Sequence, residues 1–514
     1  MEQESRVKKS LLNARVNLFF YFITLVLSFF SRKIFLDCLG VSFVGLITTL
    51  QNLLGFLNLA ELGIGTAIGY TLYKPLYQNN KYQISEVVSV LGYLYRRIGI
   101  VILGGGILLS LFLPLIFLST DFSQRLIFFA FYTFLISSLI SYFLNYKQLL
   151  LGADQKSYVI TAYFQSAIIV KTILQMTSAY YTRNYYLWVT IEFIFGFIFS
   201  WILNWKIHQV YPWLQSNIKQ GKLLLKKHPE IWKYTKQLFV HQINEFIQFQ
   251  TAPLFIYSFV SLKTVAYYGN YLLISDKLTQ VLEHILGSTR ASIGNLIAEG
   301  NIRRVENIFW ELNTIEFFVA GFFSFGLLKY TEPFVSLWLG PEYIMAISIL
   351  WLVVISLFLY ITQGAMQPFL YGFGLFQDIW ASILQTVLYL SFSVIGGYKW
   401  GLNGILCGGI LSYACIYMLW KPYFLYKKGF QKSVIGYWRK WSVNFLITCF
   451  SLFLSFKIYD YVVYQLMSAP YDSFVSLFFA AVIGLLICVL ITFFSFYLLT
   501  TDMKNFVRRF LRNK

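Results

Sequence analysis

Eight ionisable residues sit in stretches of this chain that are otherwise apolar: Arg32, Glu61, Lys171, Glu245, Asp276, Lys277, Glu283 and Arg290. Inside a membrane, charges of this kind line a substrate or ion path more often than they simply pair with one another. The densest group lies in residues 265–300. On a helix, Asp276, Gln280, Glu283, Gly287, Arg290 and Gly294 fall within about 40° of one line, with Lys277 and His284 beside it. Glu283 and Arg290 are two turns apart, too far to neutralise each other locally. In water this would be an ordinary solvated face. In a bilayer each charge costs roughly 2.5–3.5 kcal/mol at the helix centre, so the stripe must face water or protein.

Composition decides between these solvents. Of 514 residues, 58% are hydrophobic and only 12% are charged, and the mean hydropathy is +0.63. Soluble chains carry about 25% charged residues, so this is a polytopic membrane protein. The 52 Phe and 38 Tyr supply lipid contact and interfacial anchoring. Five cysteines show no CxxC spacing and read as small hydrophobes. The first apolar run continues without a small-residue cleavage site, as expected of a first transmembrane helix.

At roughly 20 apolar residues per crossing, the chain accommodates about fourteen spans, near 16–36, 42–72, 98–118, 126–148, 157–180, 186–206, 238–260, 265–298, 309–329, 344–371, 379–398, 402–424, 441–463 and 474–500. Threading these spans puts 30 Lys and Arg on the side of the termini and 8 on the other, with Lys171, Lys277 and Arg290 deep in the membrane. That bias predicts both termini in the cytoplasm. The net charge of +19 is therefore a topology signal, helped by anionic lipid headgroups. It is spread over short loops, which argues against nucleic acid as a partner.

A faint repeat appears. Gly45 and Gly63 are 18 apart in the second span, Gly269 and Gly287 are 18 apart in the eighth, and the offset of 224 residues is about six spans. The expected organisation is a six-helix bundle over 1–208, a basic cytoplasmic linker over 209–236, a second six-helix bundle over 237–426, and an extra helix pair with a basic tail over 427–514.

Polar stripes recur at equivalent places in the two halves. The first span aligns Asn17, Thr24, Ser28 and Ser31 with Arg32 at the edge; the second aligns Gln51, Gly55, Asn58 and Gly65 with Glu61 beside them. The seventh carries His241, Asn244, Glu245 and Gln248 at i, i+3, i+4 and i+7. Single amides and hydroxyls of this sort usually serve helix packing; the ionisable set points to a path. Glu192 and Lys33 lie near span ends, where snorkelling accounts for them. No HExxH, Walker or G-x-S-x-G pattern occurs, and no loop has room for a nucleotide-binding domain. Neither an enzyme nor an ATP-driven pump is indicated.

The stretches S-R-K-I-F-L-D-C-L-G-V-S-F-V-G (31–45) and L-A-E-L-G-I-G-T-A-I (59–68), with the block from Gly287 to Asn313, resemble the polysaccharide transporter family. This is the Wzx-type flippase branch of the MATE-like MOP superfamily, and the resemblance covers essentially the whole chain. It implies an all-α fold of two pseudo-repeated six-helix bundles plus a C-terminal helix pair, set in the bacterial inner membrane and working by alternating access around a central cavity. The implied activity is translocation of undecaprenyl-diphosphate-linked oligosaccharide from the cytoplasmic to the periplasmic leaflet, for surface polysaccharide or O-antigen. Its partners would be membrane lipids and the polysaccharide biosynthesis machinery. Basic cavity residues would meet the diphosphate. Arg32 takes that role by the motif, and Arg290, Lys277 and Lys171 take it by depth and polarity, with Asn58 and Gln280 as polar lining. Glu61, Glu245, Glu283 and Asp276 are the carboxylates able to load a proton or Na+; no other cofactor is implied. A MATE-like small-molecule exporter would favour an acidic cavity, and a glycan polymerase or ligase would carry a large external loop.

Overall fold

The computed structural model describes residues 6–61, 63–118, 120–154, 156–286, 293, 296–297, 300–375, 377–467 and 469–512. Of the expected site residues, Arg290 and the side chains of Asn58, Glu245 and Glu283 lie outside the described residues. All regular structure among the described residues is helical. The chain divides into two compact units, 1–257 and 258–514. The division falls near the end of the helix that forms the seventh span, Pro229–Phe259.

The first unit contains the long helices α1 (Arg6–Leu39), α2 (Val41–Gly55), α3 (Ile64–Tyr77), α4 (Lys81–Ser110), α5 (Gln124–Phe143), α6 (Ser157–Thr182), α7 (Tyr185–Val210), a short α8 (Gly221–Lys227) and α9 (Pro229–Phe259). Helix α1 packs along α6, and α7 bridges α5 and α6. The basic linker is not free chain. Its α8 docks on α4, where Lys227 meets Glu86 at 3.2 Å and the Asn217 amide donates to Ser89 Oγ at 2.9 Å.

The second unit contains α10 (Leu262–Leu286), α11 (Ile302–Trp338), α12 (Ile347–Thr362), α13 (Met366–Gly372), α14 (Ile379–Tyr413), α15 (Ile435–Leu466), α16 (Phe474–Leu499) and α17 (Thr501–Arg512). Helix α11 is its axis and contacts α12, α15, α16 and α17. Trp310, Phe309, Phe317, Phe369 and Tyr437 form the core around it, and the Trp310 indole donates to the Tyr426 hydroxyl at 2.8 Å. The amphipathic α17 is strapped on by Arg509 to Glu311, and Met503 is buried in the same core.

Among the described residues, ten helical segments are long and apolar enough to cross a membrane. One of them, Ile379–Phe430, holds two expected spans joined at Gly401, whose φ of 55° turns the chain back. The seventh and eighth expected spans, α9 and α10, fall short because their polar stripes lower the hydropathy. The second is broken in the middle. Each of the fourteen expected spans thus has a helix or a broken helix among its described residues, the eighth as far as Leu286. On α15 and α16, Phe453, Phe478, Leu486, Leu490 and Phe494 are all more than half exposed, an apolar surface that requires lipid. The chain is a multi-pass membrane protein.

The helices are less regular than the periodicity predicts. The second span is not one helix but α2, a 3-10 turn over Phe56–Glu61, and α3 after Gly63 at φ 84°. The tenth stops at Thr362 and restarts at Met366. The twelfth widens into π turns over Ala414–Trp420, just before Pro422, which has no N–H to give and crowds the preceding turn.

Candidate translocation-site residues

In the first unit the break in the second span has a chemical centre. The 3-10 turn ends at Glu61, whose carboxylate accepts a hydrogen bond from the Tyr95 hydroxyl of α4, with Tyr142 of α5 also within hydrogen-bonding reach. The two tyrosine rings lie 5.6 Å apart. A continuous α-helix would carry its side chains past at a fixed 100° step; the tighter 3-10 turn, released by Gly63, presents Glu61 to both phenols. Replacing Tyr95 by Phe is expected to remove a donor from a half-buried carboxylate and lower stability by about 1–3 kcal/mol. The thermal midpoint of the detergent-solubilised protein measures this; an unchanged midpoint would make the bond dispensable.

Lys171 of α6 is paired. Its ammonium lies 2.7 Å from Glu192 Oε1 of α7, both side chains being about one-fifth exposed. Gln175 donates to Glu192 Oε2 at 3.1 Å and to the Trp188 carbonyl at 3.3 Å. Glu192, expected to snorkel from a span end, is held within the helix pair. Arg32 is half-buried on α1, next to buried Ser31, whose hydroxyl donates to its own helix at the Ser28 carbonyl, 3.2 Å. Thr24 and Ser28 likewise bond back to their own helix. Their hydroxyls are thereby occupied within α1 itself, not in the pairing across helices expected of such groups.

In the second unit, Asp276, Lys277 and Gln280 share one turn of α10. Lys277 Nζ lies 3.5 Å from Gln280 Oε1, and Lys277 is also the charge acting on Asp276. Asp276 and Gln280 are exposed and Lys277 is half-buried.

Two buried carboxylates escaped the sequence reading although they satisfy its criterion. Glu311 and Glu316 lie in the expected span 309–329 and are 6% and 4% exposed. Glu311 is answered by Arg509. Glu316 has no cation within ion-pair distance among the described residues, and its Oε2 has no hydrogen-bond partner. A third, Asp378, is bound to Lys421 at 2.7 Å and accepts from the Trp420 indole at 3.2 Å. Among the described residues no cluster of His, Cys, Asp or Glu is assembled to hold a metal.

No protein-family model and no curated protein matches the chain. Solved structures do. The lipid II flippase MurJ in an inward closed conformation matches over 96% of this chain and 99% of its own, with TM-score 0.63 and 15% identity. An inward-facing multidrug resistance MATE family transporter of the MOP superfamily matches over 79% of this chain and 97% of its own, with TM-score 0.56 and 15% identity. The chain therefore has the fold of these membrane transporters.

Proposed function

We propose that this protein is a flippase that moves a polyprenyl-diphosphate-linked oligosaccharide across the inner membrane of a bacterium by alternating access, for surface polysaccharide synthesis. The observation that carries the reading is the extent of the fold match. The lipid II flippase accounts for 96% of the chain, whereas the multidrug transporter leaves about a fifth of it unmatched. Charge supports the same choice. A diphosphate carries two or more negative charges that hydrocarbon will not accept, and Arg or Lys in a hydrated path answers them with charge-assisted hydrogen bonds. In this reading Arg32, Lys277 and Arg290 meet the headgroup, Asn58 and Gln280 line its path, and the polyprenyl tail stays in lipid. Lys171, neutralised by Glu192, is assigned to joining α6 and α7. Glu61, with Asp276, Glu245 and Glu283, is the set from which a proton or Na+ gradient would draw its coupling site. The basic side of the protein faces the cytoplasm.

The test is reconstitution. Proteoliposomes carrying a fluorescent undecaprenyl-diphosphate sugar in the inner leaflet are expected to expose it at the outer face faster than protein-free liposomes. The Arg32→Gln, Arg290→Gln double variant is expected to stay folded and to lose at least tenfold of that rate, about the effect of one lost charge-assisted contact. The reading fails if wild-type protein gives no acceleration but expels a small organic cation.

A further inference from the structure

We propose that Glu316 is a proton-binding site in the membrane interior of the second unit, loaded and unloaded at the break between α12 and α13. Three observations place it. Glu316 lies five residues, about 7–8 Å of helix rise, beyond Glu311 on α11. The chain supplies Glu311 with Arg509 and supplies no such partner to Glu316 among the described residues. The break itself is fitted to the carboxylate. The Ala365 amide is within hydrogen-bonding reach of it, and a Cβ on Gly364 would come within 2.8 Å of Glu316 Oε1 and 3.2 Å of the Ile361 carbonyl oxygen. Only a glycine lets the carboxylate lie this close to the interrupted backbone. Finally, two acceptors are orphaned together. Glu316 Oε2 and Asn313 Oδ1 both lack partners, and both side chains are at least nine-tenths buried. They stand at i and i+3 on one helix face; the Asn313 amide donates to the Thr362 carbonyl at 3.0 Å and is also within hydrogen-bonding reach of the Glu316 carboxylate.

A buried carboxylate with amide donors but no cation, and with one oxygen unpartnered, is costly to keep ionised. One proton on Glu316 removes the charge and creates the missing donor. A divalent cation fits less well, since Ca2+ and Mg2+ take six or more oxygen ligands. The carbonyls at the break are engaged: Ile361 by the Gly364 amide at 3.1 Å, Gln363 by the Met366 amide at 3.1 Å, and Thr362 by Asn313.

Among the described residues the groups placed against Glu316 are neutral phenols, and Lys440 of α15 is paired with Asp502 at 3.0 Å. The Tyr437 phenol of α15 faces it, itself bonded to Gln363 at 3.1 Å. So does the Tyr413 phenol of α14, with Tyr360 of α12 and Tyr417 lying against Tyr413. Helix α16 carries no charged residue, only Cys488 and Tyr497 as titratable groups, and α17 spends Arg509 on Glu311. Loss of the proton leaves a bare charge against the helix break, which favours any conformation that opens the break to water.

Infrared difference spectroscopy on the full-length protein in liposomes tests this, stepping from acid to alkaline in choline buffer and again in sodium buffer. Wild type is expected to lose the carbonyl band of one protonated carboxyl group along a one-proton titration, with the same midpoint in both buffers. Glu316→Gln removes that band. Gly364→Ala keeps it and shifts its midpoint, so wild type and this variant decide the matter even where the Gln variant does not fold. A band that never titrates makes Glu316 a fixed structural acid and overturns the proposal. So does a band that persists in Glu316→Gln, a midpoint unmoved in Gly364→Ala, or a midpoint that falls with sodium, the mark of a cation site. The readout is protons and not lipid, so it stands apart from the flippase reading.

Discussion

A Gly404→Ala variant is expected to lose about 3 kcal/mol or more of stability and to elute as aggregate, while Gly409→Ala, five residues on, is expected to behave as wild type or slightly better. The two halves of α14 fold back at Gly401 and approach through glycine. A Cβ on Gly404 falls inside the van der Waals envelope of the Gly396 carbonyl, and one on Gly408 comes within 2.5 Å of the Ser393 amide nitrogen. Overpacking commonly costs 1–3 kcal/mol where side chains can shift aside. Here the neighbour is backbone, so the two half-helices must part. Their separation forfeits the close packing that drives helix association where lipid is as apolar as leucine. At Gly409 a Cβ meets only the Tyr389 ring, at 3.7 Å, and alanine regains up to about 1 kcal/mol of helix propensity. Size-exclusion profiles and thermal midpoints of the two variants measure the contrast. Equal midpoints would mean that the hairpin does not pack through Gly396 and Gly404.

The reach of the sequence follows from what periodicity can encode. Spans were legible because twenty apolar residues have one physical use, and the fold match extends over 96% of the chain. The low hydropathy of α9 and α10 comes from the same polar residues that mark them in the sequence. What periodicity assumes is a straight helix, and it misread the second span for that reason. Gly63 is visible in the sequence, but whether it ends a helix or packs one depends on Tyr95 and Tyr142, 34 and 81 residues after Glu61. Partners across helices are similarly hidden. Nothing near Glu192 identifies Lys171 as its counter-ion, and nothing near Glu311 points 198 residues on to Arg509. Glu316 is a different kind of omission. A carboxylate inside an expected span is a local signal, and Glu316 carries it without standing in a polar stripe. Burial without a cation is the property that marks it, and only packing reveals that.

The Lys171–Glu192 pair tests whether a membrane-embedded cation grips substrate or grips a neighbour. Lys171→Met leaves Glu192 with only Gln175, and Glu192→Gln leaves an unanswered ammonium. Each is expected to lower stability by about 1–3 kcal/mol, below the 3–5 kcal/mol of a fully buried pair because both groups keep some exposure and an alternative polar contact. The double variant replaces the pair with a thioether and an amide of similar size. It is expected to recover most of the loss, so that a double-mutant cycle returns a coupling energy of about 1 kcal/mol or more between the sites. Transport separates the roles. A cation held at 2.7 Å by a carboxylate presents a diphosphate with little net charge, so the double variant is expected to flip lipid at the wild-type rate. Were Lys171 a headgroup contact, Lys171→Met and the double variant would be equally inactive, while Glu192→Gln, which frees the ammonium, would retain or gain activity. That pattern would return Lys171 to the substrate path and make Glu192 its resting counter-ion, displaced each time an anionic headgroup enters.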